Sequence, residues 1–187
     1  ADNLVALVQD LSPKLRVAEW LDRAEAAIRD LEELDLRDLR SVVVQSDDPV
    51  VVREGQTRQL AAQLRDALRR RERESHDAWL GDITAAIGVG RLIRALKLSS
   101  EPPKAGQPFP RDLGERLAAL ATADLNAENT PDRWIAILES VAFSPVKSAV
   151  RVTSVPGQVT EELAKTVARL APAIPTVAAA FGVVPAP

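Results

Sequence analysis

Hydrophobic side chains recur along most of this chain at the three-and-four-residue spacing of an α-helix. The first clear apolar face consists of Leu15, Ala18, Trp20, Leu21, Ala24, Ala27, Ile28 and Leu31. These positions return to one side of a helix because each turn holds about 3.6 residues. Strand-favouring β-branched runs occur at 42–44 and 50–52, and we interpret both as ends of short helices. The pattern predicts an all-α fold: an irregular multi-helix bundle of about eight to ten helices with one long central helix and no substantial sheet.

Residues typical of helix starts divide this pattern into elements. An N-cap side chain accepts a hydrogen bond from an unpaired N–H group, and proline at the next position has no N–H group to leave unpaired. Such starts occur at Ser12-Pro13, Asp35, Thr130-Pro131, Ser144-Pro145 and Thr160. Together with the periodicity, they predict helices at 3–10, 13–33, 36–45, 56–87, 90–98, 111–126, 131–142, 145–150, 160–171 and 175–182.

The segment 56–87 is predicted to form the long helix, or two helices that meet at Gly81. Its middle, Arg69 to Asp77, contains no apolar residue. As a helix, these residues would make about two and a half turns in which no side chain is apolar enough to be buried. We therefore expect this stretch to be helical and exposed, whether it projects from the core, bridges two packed regions or meets a partner.

The stretch from Ser99 to Pro110 contains four prolines and one glycine. Neither a helix nor a central strand can continue through such a segment. We treat residues 1–187 as one all-α unit, with a possible subdivision into an N-terminal part at 1–98, a connection at 99–110 and a C-terminal part at 111–187. We expect the two parts to pack together.

Composition excludes several kinds of chemistry. The chain has no cysteine and one histidine, so thiolate metal sites and two-histidine mechanisms are absent. The pair His76-Asp77 also occurs in metal phosphohydrolases, but that site needs a further histidine. Acidic clusters lie at predicted helix ends, where capping and the helix dipole explain them. We expect no cofactor, no metal site and no enzymatic activity.

No stretch has the roughly 20 apolar residues needed to cross a bilayer, and the first residues do not resemble a signal peptide. We therefore expect a cytoplasmic protein without a membrane partner. The sequence contains no methionine at all, and we interpret the chain as part of a longer polypeptide.

Charge is distributed unevenly along the chain. Residues 1–50 carry six basic and twelve acidic groups, whereas residues 51–111 carry twelve basic and seven acidic groups. The whole chain has a net charge of −3. This asymmetry indicates either two surfaces of opposite sign or helices that neutralise each other when they pack.

One short motif carries candidate chemistry. Residues 83–96 read ITAAIGVGRLIRAL, with Gly88, Val89 and Gly90 between two predicted helices. This motif resembles a helix-hairpin-helix element, a family in which backbone N–H groups of the hairpin meet a nucleic-acid phosphate. The resemblance implies that Gly88, Gly90 and Arg91 contact the phosphate. The alternative is an ordinary turn between two helices in which glycine serves as a C-cap.

Cations follow this motif on one edge of the next predicted helix. Arg91, Arg94 and Lys97 span an arc of about 120°, because successive helical residues turn by about 100°. Lys104 follows in the proline-rich connection. A second basic group consists of Arg69, Arg70, Arg71 and Arg73. These side chains could contact phosphates or an acidic protein surface, or pair with acidic residues of the first fifty.

The large aromatic residues are Trp20, Trp79, Trp134, Phe109, Phe143 and Phe181. Each lies among apolar neighbours, so we expect all six to pack in the core.

The favoured functional hypothesis is a non-enzymatic helical interaction module that acts through protein contacts, with a protein partner or self-association. The alternative is a nucleic-acid-binding domain that uses Gly88–Gly90 and the basic edge. The sequence leaves a small-molecule ligand open.

Overall fold

A computed structural model describes residues 2–49, 51, 55–103 and 107–183, with the backbone alone at 2–13. The chain divides into two compact units, unit 1 at Ala1–Ser75 and unit 2 at His76–Pro187. Eight α-helices and one short 3₁₀ helix, with no strand, make up the regular structure of the described residues. The prediction of an all-α multi-helix fold is confirmed.

Unit 1 contains helix α1 (Asp2–Arg29), helix α2 (Leu36–Gln45) and the first part of helix α3 (Gln56–Gly88). α1 and α2 pack against each other, and the Trp20 indole donates a hydrogen bond to the carbonyl of Val42 at 3.1 Å. The core of this unit consists of Trp20, Ala24, Ala27, Leu39, Val42, Val51, Ala61 and Leu64.

Unit 2 holds the rest of α3 and five further helices. They are α4 (Leu92–Ser99), α5 (Arg111–Asp124), α6 (Pro131–Val141), α7 (Glu161–Leu170) and α8 (Pro175–Ala180), with a 3₁₀ turn at Lys147–Ala149. α6 lies at the centre, because it packs against both α4 and α7. Its Trp134, Ile137, Leu138 and Val141 are completely buried.

Three of the predicted N-caps are present. The Asp35 side chain accepts a hydrogen bond from the Arg37 N–H at 3.3 Å, and the Thr130 and Thr160 hydroxyls accept from the third helical residue at 3.2 Å. Each bond satisfies an N–H group that the helix itself leaves unpaired. These caps explain why the starts of α2, α6 and α7 were predictable to within a residue.

Two predicted helix starts are wrong. α1 continues through Ser12-Pro13, although Pro13 has no N–H group to donate to the carbonyl of the preceding turn. Ser144-Pro145 begins no α-helix and is followed only by the 3₁₀ turn at 147–149. Ser144 instead places its hydroxyl in the core, where it bonds to Ser99. Among the valines interpreted as helix ends, Val50 and Val52 lie outside the described residues.

α3 is one continuous helix of 33 residues, so Gly81 does not interrupt it. Its polar middle, Arg69 to Asp77, is helical and none of its nine residues is fully buried. The helix contributes Leu64 to the core of unit 1 and Ile83 to the core of unit 2, and the division between the units falls within the polar middle.

The boundary between the two units lies between Ser75 and His76, whereas the sequence suggested a possible subdivision at residues 99–110. α4 precedes the proline-rich connection and α5 and α6 follow it, yet α4 packs against both. Leu96 and Leu117, one from each side of the connection, belong to the same buried cluster. The connection therefore lies within unit 2, because the helices that flank it bury their apolar faces against each other.

The prediction for the aromatic residues holds except at Phe143. The three tryptophans are buried, and the Trp79 and Trp134 indoles also donate to backbone carbonyls. Phe109 and Phe181 are half-buried and make edge-to-face contacts with tryptophan rings. Phe143, expected in the core, is 72% exposed, because it follows the end of α6 and points away from the core.

Candidate functional site

The turn between α3 and α4 is a helix C-cap built on Gly90. Gly90 has φ of +76°, the left-handed conformation that glycine adopts most easily. The Gly90 N–H donates to the Ile87 carbonyl at 3.1 Å, and the Arg91 N–H donates to the Ala86 carbonyl at 2.8 Å. These two bonds form the Schellman arrangement that ends many helices.

The backbone of this turn is consequently engaged within the chain. The Val89 N–H also donates to α3, to the carbonyl of Ala85 at 3.2 Å. The N–H groups of residues 89–91 thus satisfy the end of α3 instead of facing solvent. This geometry matches the C-cap alternative to the helix-hairpin-helix resemblance.

α4 presents a basic edge to solvent. Its Leu92, Ala95, Leu96 and Ser99 are buried, whereas Arg91, Arg94 and Lys97 are exposed. Within the described part of the chain, the side chains of these three cations make no hydrogen bond or ion pair. The structure therefore brings together four of the predicted site residues, these three and Gly90, and leaves the cations available to a ligand.

The basic edge borders a groove between α4 and α6. Two adjoining cavities of about 600 Å³ and about 430 Å³ form the groove, and we call it the α4/α6 groove. Both cavities are lined by Ile93, Lys97 and Glu101. Arg133 of α6 lines the first cavity and Phe143 lines the second. The groove therefore combines cations with apolar surface.

α4 and α6 run in broadly the same direction along this groove. Near their starts, Gly90 and Asp124 line one small cavity, and Asp124 pairs with Arg133 in the first turn of α6 at 2.8 Å. Beyond their ends, the Ser99 and Ser144 hydroxyls are bonded to each other. Both helix N-termini, which carry partial positive charge, thus lie at the same end.

Two residues that line the groove were not predicted from sequence. Arg133 lies in the predicted helix at 131–142, and only the packing of that helix against α4 brings Arg133 to the groove. Phe143 was assigned to the core because its neighbours Val141 and Ala142 are apolar. Its position offered one usable signal, since Ser144-Pro145 directly after it marks the end of a helix, where side chains are often exposed.

The second predicted basic group lies in unit 1 and is largely engaged there. Arg71 donates hydrogen bonds to the carbonyls of Leu31 and Leu34, and Arg70 pairs with Glu32 at 3.3 Å. The Arg70–Glu32 pair agrees with the interpretation that basic residues of the middle segment neutralise acidic residues of the first fifty, whereas Arg71 binds backbone carbonyls.

The remaining members of that group are exposed. Arg69 pairs with Asp66 on the same helix at 3.5 Å, and Arg73 is exposed on α3. Lys104, predicted to extend the basic edge of α4, lies outside the described residues. The candidate surface that remains is therefore the α4/α6 groove in unit 2.

Unit 1 has a cavity of its own, of about 200 Å³, beside Trp20. Its lining balances Arg16 and Arg23 with Glu19 and Asp48, so it favours neither sign of ligand charge.

His76 is half-buried instead of exposed, and its ring lies 5.6 Å from that of Trp79. The described residues contain no group of three His, Asp or Glu side chains placed to hold a metal ion.

No family model, curated protein or solved structure matches this chain. Among the described residues, no helix is both long enough and apolar enough to cross a bilayer.

Proposed function

We propose that this chain is a non-enzymatic helical interaction module that binds a protein partner through the α4/α6 groove of unit 2. The observation that carries the proposal is the joint presence of unpaired cations and an exposed aromatic ring in one groove. Phe143 is 72% exposed, and Arg91 and Arg94 have no partner within the described residues. Aromatic and arginine side chains dominate the energetics of many protein interfaces.

The composition of the groove supports a protein partner over a nucleic acid. Glu101 lines both cavities and Glu139 lines the second, and carboxylates at these positions repel a phosphate backbone. Protein surfaces offer both signs of charge together with apolar side chains, so they complement all parts of such a groove.

The alternative function is binding of a phosphate backbone by the basic edge. It is favoured by the exposure of Arg91, Arg94 and Lys97 on one side of α4. It is weakened by the turn at Gly90, whose N–H groups are donated to α3. Under this alternative the cations alone supply the affinity, which then falls steeply with salt.

Photo-cross-linking tests the proposal directly. Phe143 is replaced by the photoreactive residue p-benzoylphenylalanine, and the protein is irradiated in the cells that produce it. We expect a discrete adduct that protease digests and nuclease leaves intact. The same replacement at Val159, which is 43% exposed and lines none of the cavities described above, is the control and is expected to give no such adduct.

A second substitution separates a specific adduct from a chance one. Arg94→Glu in the Phe143-substituted protein is expected to abolish the adduct, because it reverses a charge at the groove without removing buried surface. Arg116→Glu, at an exposed position of α5 outside the groove, is expected to retain it. A nuclease-sensitive adduct indicates the alternative function, and the absence of any adduct contradicts both.

A further inference from the structure

The α4/α6 groove differs in character between its two ends. One end lies at the N-termini of α4 and α6 and carries Arg91, Arg94 and Arg133, whereas the other carries the exposed ring of Phe143. This inference rests on the proposed function. We propose that the groove binds a partner segment with carboxylates at the first end and an apolar side chain against Phe143.

Charge supplies the first argument. Arg133 is already paired with Asp124 at 2.8 Å, but Arg91 and Arg94 have no partner in the described part of the chain. The N-termini of α4 and α6 at the same end add partial positive charge, although Asp132 in the first turn of α6 offsets part of that charge. Carboxylates of a bound segment are therefore most stable at this end.

The opposite end disfavours carboxylates. Glu101, which lines both cavities, is joined at this end by Glu139. Arg169 is paired with Glu139 at 3.2 Å, so within the described residues Lys97 is the cation of this cavity that has no partner. Besides Lys97, this end offers a ligand the apolar surface of Phe143 and of the half-buried Ile93. Burying an apolar side chain there is favourable, and placing a third carboxylate there is not.

The length of α4 sets the spacing that the segment needs. Eight helical residues span about 12 Å at 1.5 Å per residue. An extended segment crosses this distance with about four residues, at roughly 3.3 Å each. We therefore expect the carboxylates and the apolar anchor to lie about four residues apart in an extended ligand, or about eight apart in a helical one.

Selection from a random library of sixteen-residue peptides, displayed on phage, tests this assignment. The immobilised protein is the full chain, and Arg116→Glu serves as a folded variant with an unchanged groove. We expect enriched peptides to carry two or more Asp or Glu residues separated from an aromatic or large aliphatic residue by the spacing above. Their affinity is expected to fall when salt is raised, because the ion pairs are exposed and screened.

Two groove variants then test each end separately. Arg94→Glu is expected to weaken a selected peptide roughly tenfold or more, since it opposes like charges. Phe143→Ser is expected to weaken the same peptide roughly tenfold, and to leave unchanged a version whose apolar anchor is replaced by serine. Circular dichroism of each variant, matched to the parent, shows that the fold is retained.

Other outcomes overturn the assignment. Enrichment of basic peptides, of peptides without carboxylates, or of none excludes an acidic segment as the occupant. Equal weakening by Arg116→Glu and Arg94→Glu shows a non-specific charge effect. A protease-sensitive cross-link at position 143 combined with any of these results leaves the interaction module in place and rejects only the acidic ligand.

Discussion

The hydroxyl oxygens of Ser99 and Ser144 lie 2.7 Å apart in a buried hydrogen bond between residues 45 positions apart in sequence. The Ser99 hydroxyl also donates to the Leu96 carbonyl at 2.6 Å, so it accepts the proton of Ser144. The Ser144 oxygen in turn accepts from the Val146 N–H at 3.3 Å. This chain of bonds ties the end of α4 to the residue that follows Phe143, and thereby holds the apolar end of the groove.

Ser144→Ala is expected to reduce the free energy of unfolding by about 2 kcal/mol, since it removes two hydrogen bonds and leaves the buried Val146 N–H unpaired. Urea denaturation followed by tryptophan fluorescence measures the change. Ser148→Ala, at an exposed position, is the control and should stay within about 0.5 kcal/mol of the parent. Equal stability of the two variants contradicts a structural role for the Ser99–Ser144 bond.

The two glycines of the turn are expected to respond in opposite directions to alanine. Gly90→Ala forces a side chain into a left-handed conformation and should cost about 1–2 kcal/mol. Gly88→Ala should stabilise by roughly 0.5–1 kcal/mol, because Gly88 is helical with open space around it and alanine has less backbone entropy to lose. Thermal or urea unfolding of both variants measures the effects, and a shared sign argues against the C-cap.

Arg71 is expected to contribute more stability than its neighbour Arg69. Arg71→Ala removes charged donors from the carbonyls of Leu31 and Leu34 and should cost about 1–3 kcal/mol. Arg69→Ala removes only an exposed pair with Asp66 and should cost less than about 0.5 kcal/mol. Urea midpoints compare the two variants. If the order is reversed, the contacts of Arg71 do not support the turn after α1.

Nucleic acid is expected to bind this chain only weakly, if the groove serves a protein partner. Fluorescence anisotropy at low salt should show no binding to duplex DNA, single strands or structured RNA at about tens of micromolar, a concentration within the usual range of non-specific dissociation constants, about 10⁻⁴ to 10⁻⁶ M. Binding with a log–log salt slope of about −3 to −4, reduced by about one in Arg91→Ala, establishes the phosphate-backbone alternative instead.

Local interactions made much of the secondary structure predictable. The N-caps at Asp35, Thr130 and Thr160 act within three residues of the chain, so their effect can be read directly from sequence. Periodicity likewise placed α2 at 36–45 and α3 at 56–87, close to the observed Leu36–Gln45 and Gln56–Gly88. The prediction at Ser12-Pro13 was wrong because a serine followed by proline looks the same in sequence whether it begins a helix or lies inside one. Here it lies inside α1, which continues through Pro13.

The candidate site was predictable only in part, because a groove needs two elements. The cations Arg91, Arg94 and Lys97 were identified on one edge of one helix, since their spacing is a property of that helix alone. That Arg133 lies beside them, and that Phe143 faces solvent, depends on how α6 packs against α4.

By itself, the sequence determined the helical fold class, the caps of α2, α6 and α7, and the basic edge of α4, because each depends on residues within a few positions of one another. Tertiary structure decided the rest. It buried Ser144 against Ser99, engaged Arg71 with the carbonyls after α1, and exposed Phe143 at the end of a groove. Those outcomes depend on which apolar faces meet, and contacts between residues far apart in the chain carry no local signature.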